Sequence, residues 1–154
     1  MQSLPPSDPV LDERLRLIVA SYRRLTGKPL MAETPSDIAA LRDAIWHAPR
    51  AIVAHGTEAD PIFFYGNRLA LQLFEMSFEE FARLPSRLSA EPLAQDARVK
   101  LLDKVTQQGY VDGYSGMRIA SSGKRFMITD TTVWNLVDEQ GRHQGQAAVF
   151  VAQE

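Results

Sequence analysis

Cysteine is absent from the 154 residues. That excludes disulfides, thiolate metal centres, a nucleophilic thiol and a covalent cysteinyl–flavin photoadduct. An excess of either charge is lacking too: 17 Lys and Arg stand against 19 Asp and Glu, giving a formal net charge of −2 and a pI near 5.9. No basic field exists to hold a phosphate backbone, so nucleic acid is not an expected partner. No apolar run approaches the roughly 18 residues that span a bilayer. The opening MQSLPPSDPV has no charged segment followed by an apolar one. Neither a signal peptide nor a membrane partner is therefore expected, and the expected compartment is the cytoplasm. Histidine is scarce, with three in the chain, and neither a G-x-S-x-G elbow nor a phosphate-cradling glycine loop occurs.

What remains is the composition of a globular domain: 45% hydrophobic and 23% charged residues, close to the soluble average. A chain of this length buries roughly 68–70% of its unfolded surface and needs no covalent staple. The first third reads as helix, after a Pro/Ser-rich start over Met1 to Ser7 that is expected to fray. Asp8-Pro9 is an N-cap followed by proline at the first helical position. Leu11, Leu15, Ile18, Tyr22 and Leu25 then recur on one helical face, and Gly27 is placed to end the helix. Thr34-Pro35-Ser36-Asp37 repeats the start signal before a second short helix carrying Ile38, Leu41 and Ile45, which Pro49 stops.

The period then changes. Ala51 to Ala54 and Ile62 to Tyr65 read as two strands around a short turn. Asn67 caps a helix with Leu69 and Leu73, Ser77-Phe78-Glu79-Glu80 is a capping box, and Glu91-Pro92 introduces a longer helix to about Gln108. The last third reads as three strands, Tyr110–Ala120, Arg125–Val137 and Gln144–Ala152, joined by the hairpin connections SSGK and DEQGRHQG. Two strands, a helical excursion and a three-stranded meander form one five-stranded antiparallel sheet of order 2-1-5-4-3. The expected class is α+β, with helices on one face of the sheet and an N-terminal helical extension. Residues 1–48 are expected to form that extension, and residues 49–154 the domain proper.

Three blocks carry a family resemblance: HGTEADPIFFYGNRLALQLFEMSFEEFARLPSRLSAEP, GYVDGYSGMRIASSGKRF and TTVWNLVDEQGRHQGQAAVF. They resemble the MEKHLA domain, a PAS-related family, over about Asp12 to Phe150. The resemblance implies a PAS-like fold and a sensory or partner-binding role, with no ligand that carries over residue by residue. The family occurs at the end of plant homeodomain–leucine zipper regulators and as a free-standing bacterial protein. With neither a zipper nor a homeodomain in this sequence, the free-standing form is expected.

Candidate site residues follow from local chemistry. In HGTEADPIFFYGN, His55, Glu58 and Asp60 suggest acid–base or metal chemistry at first sight. Gly56 argues against the helix that an H-E-x-x-H pair needs, so a turn in which Glu58 and Asp60 accept backbone N–H groups is the main reading, with His55 free to touch a ligand. Arg87, in LPSRLSAEP, falls near the mouth of a PAS-type cavity, where it could meet an anion. Asp130 shares parity with Phe126, Ile128 and Trp134. Absent a bulge it points to the core, where Arg118 across the hairpin would pair with it or burial would raise its pKa. Tyr65, Tyr114 and Trp134 are the aromatic pocket candidates, because each needs a partner for its polar end. Neither metal nor haem is expected; a small apolar or aromatic ligand between sheet and helices is. Two alternatives stay open: a ligand-free interaction domain, and a small enzyme using Asp130 with His55. The stripe on the first helix serves either a homodimer or packing on the chain's own sheet.

Overall fold

The computed structural model describes Leu4, Pro5 and residues 8–153. The expectation of fraying over Met1 to Ser7 lies outside them except at Leu4 and Pro5. Helix α1 (Pro9–Thr26) starts where Asp8 accepts the Val10 N–H and ends at Gly27, whose φ of 75° gives the left-handed cap. Helix α2 (Ile38–Trp46) is capped by Asp37 through the Ala40 N–H. Strands β1 (Ala51–His55) and β2 (Phe63–Gly66) precede α3 (Arg68–Phe74), α4 (Phe78–Phe81), a 3-10 turn at Ser86–Ser89 and α5 (Pro92–Gln108). Strands β3 (Tyr110–Ile119), β4 (Arg125–Val137) and β5 (His143–Gln153) complete one antiparallel sheet of order β2-β1-β5-β4-β3. Both the expected order and the capping box at Ser77 and Glu80 are present.

Helices cover both sides of this sheet. Directly opposed residues on neighbouring strands share a face. Val53, Ala148, Val133 and Val111 form one such row, and Val133 packs against Leu101 and Val105 of α5. The next row is Ala54, Ala147, Trp134 and Tyr110. There the Trp134 Nε1 donates to the Ile18 carbonyl at 3.1 Å, and Tyr22 meets the indole edge-on at 4.8 Å. Thus α1 lies on the face opposite α5. The α1 stripe packs on the chain's own sheet: Leu15, Ile18 and Tyr22 are buried there, and the Ser21 side chain accepts the Val137 N–H.

A bulge in β4 decides which side chains face which layer. Pairing with β5 slips between Thr129 and Thr132, and Asp130 adopts a φ of 53°, a left-handed conformation that Asp tolerates better than most residues. The extra residue turns the strand by one step. Ile128, Thr131 and Val133 then share the α5 side, while Trp134 and Leu136 go to the α1 side. The expectation that Asp130 points to the core is corrected. Its side chain is exposed, and its carbonyl accepts from the Arg50 guanidinium at 3.0 Å.

Asn67 ties the layers together at β1. Its Oδ1 accepts from the Ile52 and Ala70 N–H groups, and its Nδ2 donates to the Ile45 and Arg50 carbonyls, all within 3.1 Å. The side chain is fully buried, and its four bonds join α2, β1 and α3. Replacing it with alanine leaves buried backbone groups without partners, each worth about 1–3 kcal/mol. Asn67→Ala is expected to lose about 3 kcal/mol or more in urea unfolding at unchanged m-value, and a loss under about 1 kcal/mol would contradict this role.

Candidate functional site

A cavity of about 50 Å³ lies between the sheet and α5. Val53, Phe63, Phe74, Ile128, Val133, Ala148 and Phe150 give it apolar walls, and Leu101 and Leu102 of α5 close it. Its polar lining is cationic. Arg98 of α5 and Arg118 of β3 both border it, together with His55, Tyr114, Ser89, Thr131 and Gln146.

The two arginines arrive by simple periodicity. Arg98 stands one turn before Leu101 and Leu102 and two turns before Val105, on the sheet-facing stripe of α5. Arg118 is opposite Phe126 in the β3–β4 ladder and shares its inward face. They are 8% and 7% exposed. Arg98 Nη2 donates to the Ser86 hydroxyl at 2.7 Å, and Ser86 is held by a bond from its N–H to the Pro61 carbonyl. Arg118 Nη1 donates to the Met117 carbonyl at 2.7 Å, and its guanidinium lies 5.8 Å from the Tyr114 ring centre, a cation–π contact. Among the described residues neither guanidinium has a carboxylate within ion-pair distance. Burial, and the charge of Arg118 nearby, push Arg98 down to about 10. Arg98 therefore remains a cation at neutral pH.

His55 closes β1 beside them. Its Nδ1 is 3.1 Å from the Gly56 carbonyl, which can only accept, so the proton sits on Nδ1. Nε2 is buried with no partner. Burial, the largest cause, lowers the His55 pKa to about 4; the Gly56 bond opposes it, and the weaker Arg98 charge adds to it. Gly145 lets β5 pass close to this point. At its φ of 141°, a Cβ would overlap the His55 carbonyl oxygen, so only glycine fits.

The sequence-derived candidates separate into two groups. His55, Arg118 and Tyr114 line the cavity; Asp130, Tyr65, Trp134 and Arg87 do not. The bulge carries Asp130 outward, so it neither pairs with Arg118 nor shares a hydrogen bond with His55. Trp134 serves the α1 interface. Tyr65 is buried against Phe78 at 5.9 Å, its hydroxyl unpartnered and its pKa raised by desolvation. Arg87 pairs with Asp60 on the surface, at 3.2 Å. Glu58 accepts the Ile62 N–H at 3.1 Å and Gly56 N donates to the Ile62 carbonyl, so Glu58 shapes the turn as expected, whereas Asp60 accepts from the Arg87 side chain and not from a backbone N–H. Among the described residues no group of three or more His, Asp or Glu gathers as a metal-binding set. Arg98 is the residue that sequence reading missed. The signal was present, an arginine in register with Leu101, Leu102 and Val105.

The comparisons with known proteins agree on fold and family. The MEKHLA domain model matches residues 12–154. Homeobox-leucine zipper protein HOX10 of rice is 25% identical over 137 residues, covering 88% of this chain and 16% of its own length. ATHB-9 of Arabidopsis thaliana, also named a homeobox-leucine zipper protein, is 25% identical over 151 residues, covering 96% of this chain and 18% of its own length. The chain thus spans about a sixth of the length of these curated relatives. Among solved structures, a PAS domain of a protein from Colwellia psychrerythraea superposes with a TM-score of 0.65 at 18% identity, over 76% of this chain and 98% of that one. A light-oxygen-voltage domain superposes at 0.62 and 17% identity, over 75% and 85%. Among the described residues no helix is long and apolar enough to cross a membrane.

The buried histidine makes stability depend on pH. Its folded pKa of about 4 lies below the ordinary histidine value of 6.5, so between these values the unfolded chain binds more protons and stability falls as pH falls. The full effect is on the order of 3 kcal/mol, present above pH 6.5 and lost by pH 4. His143, also shifted down by burial, acts in the same direction. His55→Gln is expected to flatten the urea-unfolding stability between pH 6.5 and 4 more than His143→Gln does. Equal slopes in wild type and His55→Gln would contradict the assignment.

Proposed function

The chain belongs to the MEKHLA domain family, and we propose that it works as a PAS-like sensory module, non-catalytic, with the cavity under α5 as its ligand site. The observation that carries this reading is the lining: apolar walls with a few convergent polar groups, three of them buried and under-bonded, as ligand sites are built. Binding there would act by population shift, with the ligand favouring one packing of α5 on the sheet over another by a few kcal/mol. Strand β4 gives the change a route outward. Thr131 and Val133 face the cavity, and Trp134, their neighbour, holds α1 on the other side. The output would be a changed protein contact.

The size of the cavity limits what it takes up. At about 50 Å³ it is smaller than the roughly 150 Å³ that admits benzene in an engineered core. An aromatic ligand, or a flavin of the kind named for the light-oxygen-voltage neighbour, would require the walls to move. The same volume favours the second reading, a domain that senses through protein contact alone. Heat-denaturation midpoints across a library of small metabolites separate the two. A true ligand at a hundredfold excess over its Kd is expected to raise the midpoint by about 5 °C or more. The shift should vanish in Ala148→Leu, which fills the cavity, and persist in Asp130→Ala and Tyr65→Ala, which lie outside it. No response from any compound would leave the contact-only reading standing.

A further inference from the structure

We propose that the cavity takes a short-chain organic carboxylate, its carboxylate bridging Arg98 and Arg118 and its alkyl end resting on the apolar wall. This rests on the reading of the cavity as a ligand site and names the chemistry that such a ligand must have.

Three observations converge on it. First, two guanidiniums from different elements border one cavity, each more than nine-tenths buried. Among the described residues no carboxylate forms an ion pair with either; the Asp60 carboxylate, which favours the Arg98 charge from a distance, is paired with Arg87. A desolvated cation without a carboxylate in contact is costly, by several kcal/mol even after relaxation, and the Arg118 charge acts against that of Arg98. Each guanidinium offers five N–H donors in a planar fork, and one from each is spent on the protein, on Ser86 and on Met117. The remaining donors are suited to a planar, two-oxygen acceptor.

Second, the space is small. A water-sized group occupies about 10–15 Å³ of such volume, so 50 Å³ accommodates roughly four non-hydrogen atoms, the size of acetate, with propionate at the limit. Third, the apolar lining includes Phe63, Phe74, Ile128 and Val133, which would reject a fully polar oxyanion such as phosphate and accept a methyl or ethyl group. Neutral His55 and Gln146, also in the lining, add no carboxylate to compete with the ligand.

The test uses the full chain at constant ionic strength and pH 7, with heat-denaturation midpoints and calorimetric titration. Its arms are sodium acetate, sodium propionate, the neutral acetamide, sodium chloride and sodium phosphate. Acetate and propionate are expected to bind saturably and raise the midpoint, and acetamide, chloride and phosphate to do so at least tenfold more weakly. Arg98→Gln and Arg118→Gln each remove one buried cation. Both should fold with a midpoint at or above that of the wild type without ligand, and weaken acetate at least tenfold. Arg87→Gln, whose parent arginine lies on the surface, should leave acetate binding unchanged. Equal responses to acetate and chloride would overturn the proposal in favour of a simple anion effect. If neutral molecules from the library bind and carboxylates do not, the proposal fails while the cavity remains a ligand site. Silence in every arm defeats both. Should either arginine variant not fold, cavity-filling Ala148→Leu supplies the same comparison, and acetate binding that survives it would place the anion elsewhere and overturn the assignment.

Discussion

A single extra residue in β4 governs the layering of this protein. A β-strand alternates its side chains with a period of two, so one inserted residue exchanges the faces of everything beyond it. Before the bulge Phe126 and Ile128 look towards the excursion helices. After it Thr131, Val133 and Asn135 do, and Trp134 and Leu136 are delivered to α1. Without the slip, the largest side chain of the strand would stand where the cavity is, and α1 would lose the indole against which Tyr22 and the Ile18 carbonyl pack. The left-handed backbone of Asp130 is the local cost, roughly 1–3 kcal/mol of strain. Burial of Trp134 and Leu136 on one side and of Val133 on the other offsets it, at about 1.5–3 kcal/mol per large apolar side chain.

Given that layering, the polar residues inside the protein fall into two kinds. Asn67 and Asn135 have both ends of their amides bonded, and the amide nitrogen of Gln146 is bonded too. The Asn135 Nδ2 donates to the Val105 carbonyl, and the Gln146 Nε2 donates to Asn135 Oδ1 and Thr106 Oγ1. Such groups fix α5 and α2 to the sheet, because any other arrangement would leave them unbonded in a low dielectric. Arg98, Arg118 and His55 are not saturated. A core selected only for stability has no reason to keep two cations and a bare imidazole nitrogen around one space, since apolar residues of similar volume are often as stabilising or more so. The contrast within one interior separates the residues that hold the fold from those available to a ligand.

The helix caps, the stripe of α1, the strand segments and their order in the sheet were all legible in the sequence, because each rests on short-range rules: a capping side chain, a period of 3.6, a period of two, a short connection. Part of the site was legible too, since His55 directly follows the first strand segment and Tyr114 and Arg118 lie on a strand of the meander, with a polar end that needs a partner. Asp130 misled because its parity is correct only for an unbroken ladder, and a bulge is a property of two strands and not of one. Trp134 misled for the identical reason, being displaced by that same residue. Arg98 escaped notice because charge on a helix is ordinarily solvated, and its position on the apolar stripe became meaningful only with the sheet in place.

By itself, the sequence determined that this chain is an α+β domain with two early and three late strands, and that thiol chemistry has no place in it. Those outcomes depend on composition and on interactions between residues near one another in the chain. Tertiary structure alone decided that helices cover both faces of the sheet, that the acid of β4 lies outside and that the cavity is lined by cations. Each of these depends on which strands pair, in what register, and what is desolvated when they do. A charge declares itself unpaired only once the whole of its surroundings is known.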